Sequence, residues 1–135
     1  MAAESKVSCD AAPQAIRQLV AAKVPVLAGT DAPAPGLTYG ASLHKELEHL
    51  VNTGLTPTAA LAAATSAIAR AFRMNDRGRI RTGMRADLLL VDGDPLANIT
   101  ILQDRARLLA VMKAGVFQRP PPIKTASTRW SASVA

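Results

Sequence analysis

Apolar and polar positions along this chain change period several times, and each change marks a new element. Between residues 10 and 21, Ile16, Leu19 and Val20 recur three and four apart, the spacing of one helix face. A helix is expected to begin between Asp10 and Pro13, since proline is tolerated in a first turn. The pattern then becomes an unbroken apolar run, Val24 to Ala28, which reads as a strand buried on both faces. Pro25 lies near its start, where a missing donor does least harm. The run stops at Gly29 and Thr30 and then presents one carboxylate, Asp31. The proline- and glycine-rich stretch 32–40 is a loop on the carboxyl side of that strand.

Helical spacing returns at Ser42, expected to cap a helix running through Thr53. Its apolar stripe is Leu43, Leu47, Leu50 and Val51, and Gly54 ends it. Thr56 and Pro57 read as the cap and first residue of a further helix. Leu61, Ala64, Ile68 and Phe72 fall on its expected buried face. From Asn75 the pattern changes again. Residues 76–79 read as a turn and residues 86–92 as a strand. The runs 108–113 and 116–118 flank Ala114 and Gly115 as a tight hairpin. The expected organisation is a loose lead-in at 1–9, an α/β unit at 10–74, a β-rich unit at 75–118, and a disordered Pro/Ser/Thr/Ala tail at 119–135.

Composition narrows the chemistry. The 135 residues suffice for one small domain, with 49% hydrophobic residues but only 3% aromatics. A net charge of +6 suggests an anionic partner. Much of the excess lies between Arg70 and Arg85, where Arg73, Arg77, Arg79 and Arg81 also fall against little besides Asp76. With Phe72 assigned to a buried helix face, no aromatic interleaves with these arginines, so a stacking platform for nucleic acid is not expected. No segment is long and apolar enough to span a bilayer, and a membrane partner is not expected. The start of the chain has no run resembling a secretory signal. Cys9 is the only cysteine, which excludes an intrachain disulfide and a cysteine-built zinc site, and fits a reducing, cytoplasmic location.

Three constellations bear on catalysis. Asp31 follows directly on a buried strand, where α/β enzymes keep their chemistry; turn formation or helix capping is the plain alternative. His44 and His49 lie about 140° apart around a helix and cannot share a face, although His44 and Glu48 can. Ser42 and Lys45 match S-x-x-K, a serine-nucleophile pattern with only two fixed positions, and its companion motifs are absent.

The ordered set of segments from about 10 to 118 resembles the C-terminal part of metal-dependent amidohydrolases of the imidazolonepropionase- and prolidase-like branch. It comprises Ala28-Gly29-Thr30-Asp31-Ala32, Ser42-Leu43-His44-Lys45-Glu46-Leu47, Gly54-Leu55-Thr56-Pro57, Ala60-Leu61 and Ala64-Thr65. It continues through Gly78, Ile80, Gly83, Ala86-Asp87-Leu88, Asp92 and Asp94-Pro95-Leu96. The resemblance implies the last βα portion of a (β/α)₈ barrel plus part of a small β-sandwich, a fragment of a larger fold. It implies that Val24 to Ala28 is the last barrel strand. It makes Asp31 both a ligand of a catalytic divalent metal, zinc by family habit, and the acceptor of a proton from the attacking water. It also implies hydrolysis of C–N bonds in amides, cyclic amides or peptides. The family's H-x-H pair, its bridging lysine or glutamate and its further histidines belong to earlier strands, so among these residues only Asp31 carries over. Ala59 replaces the glutamate that would complete a capping box with Thr56. The expectation is a chain incompetent alone, which binds no metal by itself and either is covered by a second copy or by the remainder of the barrel, or rearranges into a helical cluster with a small sheet. Two other readings stay open. One is a non-catalytic interaction module whose basic face, Arg70 to Arg85, engages an acidic partner. The other is a serine hydrolase using Ser42 and Lys45.

Overall fold

The first helix of the computed structural model, α1, spans Ala11–Ala21, and Ile16 points from it toward the core. The structure describes residues 11–122; the expected lead-in at 1–9, the start at Asp10 and the tail from 123 onward lie outside the described residues. Lys23 closes α1 in the left-handed region (φ 56°). Its N–H bonds the Val20 carbonyl at 3.0 Å and that of Val24 bonds Leu19 at 2.9 Å. This paired closure satisfies two carbonyls that a helix end otherwise leaves open.

The run from Val24 to Ala28 is extended but is not a strand, contrary to the sequence expectation. A buried parallel strand needs neighbours on its ladder, and the three strands of the described residues form a separate sheet elsewhere. Beyond the closing bond of α1, its one backbone bond to another element among the described residues runs from Ala28 N–H to the Ala63 carbonyl at 3.2 Å. Val24 is exposed, while Val26 packs on the core and Ala28 lies within it.

Helix α2 covers Ala41–Asn52 and buries Leu47 and Leu50. Its cap is Gly40, at φ 78°, and not Ser42. The helix starts before the serine, so Ser42 lies in the first turn and its Oγ instead accepts from Thr38 N–H at 2.9 Å. Gly54 (φ 117°) takes the left-handed position that ends α2, as the sequence pattern requires.

Helix α3 spans Pro57–Ala64, with Thr56 Oγ1 accepting from Ala59 N–H at 3.1 Å. The long helix expected here is broken at Thr65 (φ −131°, ψ −92°), and α4 follows at Ser66–Ala71. Thr65 Oγ1 donates to the Leu61 carbonyl at 2.7 Å, a back-bond that competes with helical continuation. The break rotates the buried face. Ala60, Ala63 and Ala69 are buried, Leu61 and Ala64 only half-buried, and Phe72 is 69% exposed. Alanines at these positions let backbones approach closely. Gly78 (φ 82°) goes further: a Cβ there would stand 2.7 Å from Ala69 Cβ and 2.9 Å from the Thr65 carbonyl oxygen.

The sheet is antiparallel in the order β1 (Leu88–Val91), β2 (Leu108–Lys113), β3 (Val116–Arg119). Leu88 faces Met112, and Met112 faces Phe117. Leu88, Leu89, Leu90 and Phe117 all remain exposed. Arg119, expected to begin a disordered tail, is the last residue of β3, and its Nη1 donates to the Arg105 carbonyl at 3.2 Å. Ala114 (φ 52°) and Gly115 (φ 81°) form a two-residue turn with both residues left-handed, the primed geometry that matches strand twist. Alanine is strained there. Ala114→Gly is therefore expected to raise stability by up to about 1 kcal/mol, read as a higher thermal midpoint; a lower midpoint would refute the turn assignment.

A 3₁₀ helix at Ile99–Gln103, not expected from the sequence, buries Ile99 and Leu102. Asn98 Oδ1 caps it by accepting from Thr100 N–H at 3.0 Å. Ile99 and Leu102 join Ala28, Leu47, Leu50, Ala60 and Ala63 in a single core cluster. One core is thus built from the extended segment, α2, α3 and the 3₁₀ helix.

Candidate functional site

The extended segment ends at Gly29 and Thr30, and Asp31 then turns into the left-handed region (φ 51°). Aspartate tolerates that conformation better than most residues. Asp31 is exposed, and its carboxylate accepts no hydrogen bond from the described residues, so it is neither a helix cap nor a turn lock there. It lines an open groove of about 610 Å³ with Gly29, Thr30, Ser42, Lys45, Glu46 and His49.

The far wall of the groove is one face of α2. Ser42, Lys45, Glu46 and His49 are spaced i, i+3, i+4 and i+7, which places them within about 100° around the helix axis. The structure therefore brings Asp31, Ser42 and Lys45 to one groove, as candidates singled out from sequence. It adds Glu46, which the sequence analysis names only within a family motif, and His49, which it considers with His44 and does not make a ligand. Their signal was available: both repeat the helical spacing that starts at Ser42.

Hydrogen bonding sorts these groups. Ser42 Oγ is held by Thr38 N–H. Lys45 Nζ donates to Glu48 Oε2, and Gln103 Nε2 donates to the same oxygen at 2.9 Å. These donors hold the Glu48 carboxyl below its usual range. They also tie α2 to the 3₁₀ helix. Ser42 and Lys45 thus have partners other than each other.

His44 sits half-buried away from the groove, and burial lowers its pKa from the ordinary 6.5. A base whose folded pKa is depressed leaves the unfolded chain binding more protons at mildly acid pH. Stability is then complete above 6.5 and falls as pH drops below it toward the folded value. In urea titrations between that pH and about 5, His44→Gln is expected to flatten the decline; an unchanged slope would count against it.

A catalytic divalent ion needs three or more protein ligands converging on one point. Among the described residues no set of three or more His, Cys, Asp or Glu side chains is placed to hold one. Asp31, Glu46 and His49 share the groove without forming such a set, and His44 with Glu48 does not form one either. The donor set present therefore does not fit a complete metal centre.

Comparison with known proteins places this arrangement. The sequence profile of the amidohydrolase family matches residues 4–117. The chain belongs to the amidohydrolase family. Solved amidohydrolase-type structures agree. A Xaa-Pro dipeptidase with methionine bound in its active site is 28% identical at a TM-score of 0.71, over 80% of this chain and 25% of that one. A second amidohydrolase is 32% identical at 0.66, over 78% and 25%. Molinate hydrolase is 28% identical at 0.64, over 90% and 30%. No curated protein matches. This amidohydrolase chain thus spans about a quarter of the first structures it matches. Its membership goes with a mixed helix-and-sheet fold.

Proposed function

We propose that the chain is the C-terminal portion of a metal-dependent amidohydrolase that cleaves C–N bonds in amides, cyclic amides or peptides. The observation that carries this reading is Asp31, an exposed carboxylate free of hydrogen bonds from the described residues, at the mouth of a groove in a family-matched chain. In the completed fold the extended segment would become the last strand of a (β/α)₈ barrel, and residues 75–118 would complete a β-sandwich. Asp31 would contribute one ligand to the metal, zinc by family habit. A carboxylate so placed can also accept a proton from an attacking water. The remaining ligands would come from the rest of the barrel, so the chain alone is expected neither to hold the ion nor to turn over substrate. The exposed apolar side chains of β1 and the lack, among the described residues, of a ladder beside residues 24–28 support this reading, because both ask for cover from more polypeptide.

The test is complementation. The chain is mixed with the N-terminal three-quarters of a matched amidohydrolase, and hydrolysis of an amide and dipeptide panel is followed with bound metal. Activity and metal that appear only in the mixture support the proposal. Turnover by the chain alone that survives Asp31→Asn but not Ser42→Ala would favour the serine-hydrolase reading instead.

A further inference from the structure

Two segments carry arginines that the described acids do not neutralise. Asp76 is taken by Arg77 (2.8 Å) and Asp87 by Arg85 (3.2 Å). Arg70, Arg73, Arg79 and Arg81 are exposed and make no ion pair among the described residues. Each segment also holds out one large apolar side chain. Phe72, between Arg70 and Arg73, is 69% exposed, and Ile80, between Arg79 and Arg81, is 86% exposed. The Gly78 contact brings the segments together, because Gly78 lies against Ala69 and Thr65. Phe72 follows Ala69 by three residues, which puts it on the side of α4 that meets Gly78. Ile80 follows Gly78 by two.

We propose that this surface docks on an anionic lipid bilayer. The arginines supply attraction to negative headgroups, and Phe72 and Ile80 supply side chains that enter the headgroup–acyl boundary. Neither apolar residue lines the groove beside Asp31 or the open hollow beside Met84. A single aromatic is also a poor platform for stacked bases. A spanning helix is not needed for binding of this kind. The proposal is independent of catalysis and is made for this chain by itself, which is what the vesicle test measures. Ile80 lies within residues 75–118, which the hydrolase reading assigns to a β-sandwich completed by further polypeptide.

The test is co-sedimentation of the full chain with vesicles of phosphatidylcholine alone or with roughly 30% phosphatidylserine. Binding is expected only to the anionic vesicles, and is expected to fall as salt rises from about 0.1 to 0.5 M. Arg79→Gln with Arg81→Gln should weaken it by roughly tenfold or more. Phe72→Ser with Ile80→Ser should weaken it by about tenfold while circular dichroism stays unchanged. Three results would each overturn the proposal. These are no preference for anionic vesicles, loss with the arginine pair but not the apolar pair, and binding to oligothymidylate without binding to vesicles. The second would indicate a generic polyanion surface, and the third a nucleic-acid surface.

Discussion

Gly78→Ala is expected to destabilise the chain by about 3 kcal/mol, combining left-handed strain with overpacking. Gly83→Ala, at nearly the same backbone angle (φ 80° against 82°), is expected to cost only about 1 kcal/mol. The two glycines differ in what surrounds them. A Cβ at Gly83 meets nothing within 4 Å, whereas at Gly78 it meets Ala69 Cβ at 2.7 Å and the Thr65 carbonyl oxygen at 2.9 Å. Backbone atoms of Thr65 and Ser66 cannot swing aside as a flexible side chain would. The difference between the two variants therefore isolates the steric contribution. It is measured as the shift in urea midpoint at constant slope. Equal losses would show that the 74–87 segment moves away from α4 at little cost.

In the complemented enzyme, Asp31→Asn is expected to lower kcat by roughly 10²- to 10⁴-fold, the usual worth of a positioned general base. Asparagine preserves the size of the side chain and tolerates the left-handed backbone at this position, so the loss would report the missing charge and not a collapsed turn. Circular dichroism of the variant chain should match the parent. A loss below tenfold with intact assembly would remove Asp31 from the reaction.

Local signals were legible where local chemistry decides the structure. Thr56 and Pro57 start α3, Gly54 ends α2, and Ala114 with Gly115 turns the hairpin, because each involves only neighbouring backbone groups. The ordered motifs also carried the family, since many weak matches in the right sequence are jointly specific. Failures came where a partner decides. Residues 24–28 have the composition of a buried strand but no neighbouring strand among the described residues, so they are only extended. Phe72 fits a core position on a continuous helix, and the break at Thr65 changes the register of that face. Periodicity could not reveal this, because Thr65 Oγ1 settles it through a bond to Leu61. The 3₁₀ helix was hidden for a related reason. It is too short to show a period and owes its place to α2. At the groove, Asp31 was visible as the first charge after an apolar run. Glu46 and His49 emerged once α2 showed which of its faces points there.

The core is rich in alanine: Ala28, Ala60, Ala63 and Ala69 are buried, and among the described residues no large side chain is fully enclosed. Such an interior hides little hydrocarbon from water, so unfolding releases little. The heat-capacity increment should fall below the usual value of about 12–15 cal/mol/K per residue. The curve of free energy against temperature then becomes shallow, and melting spreads over a broad interval instead of a sharp one.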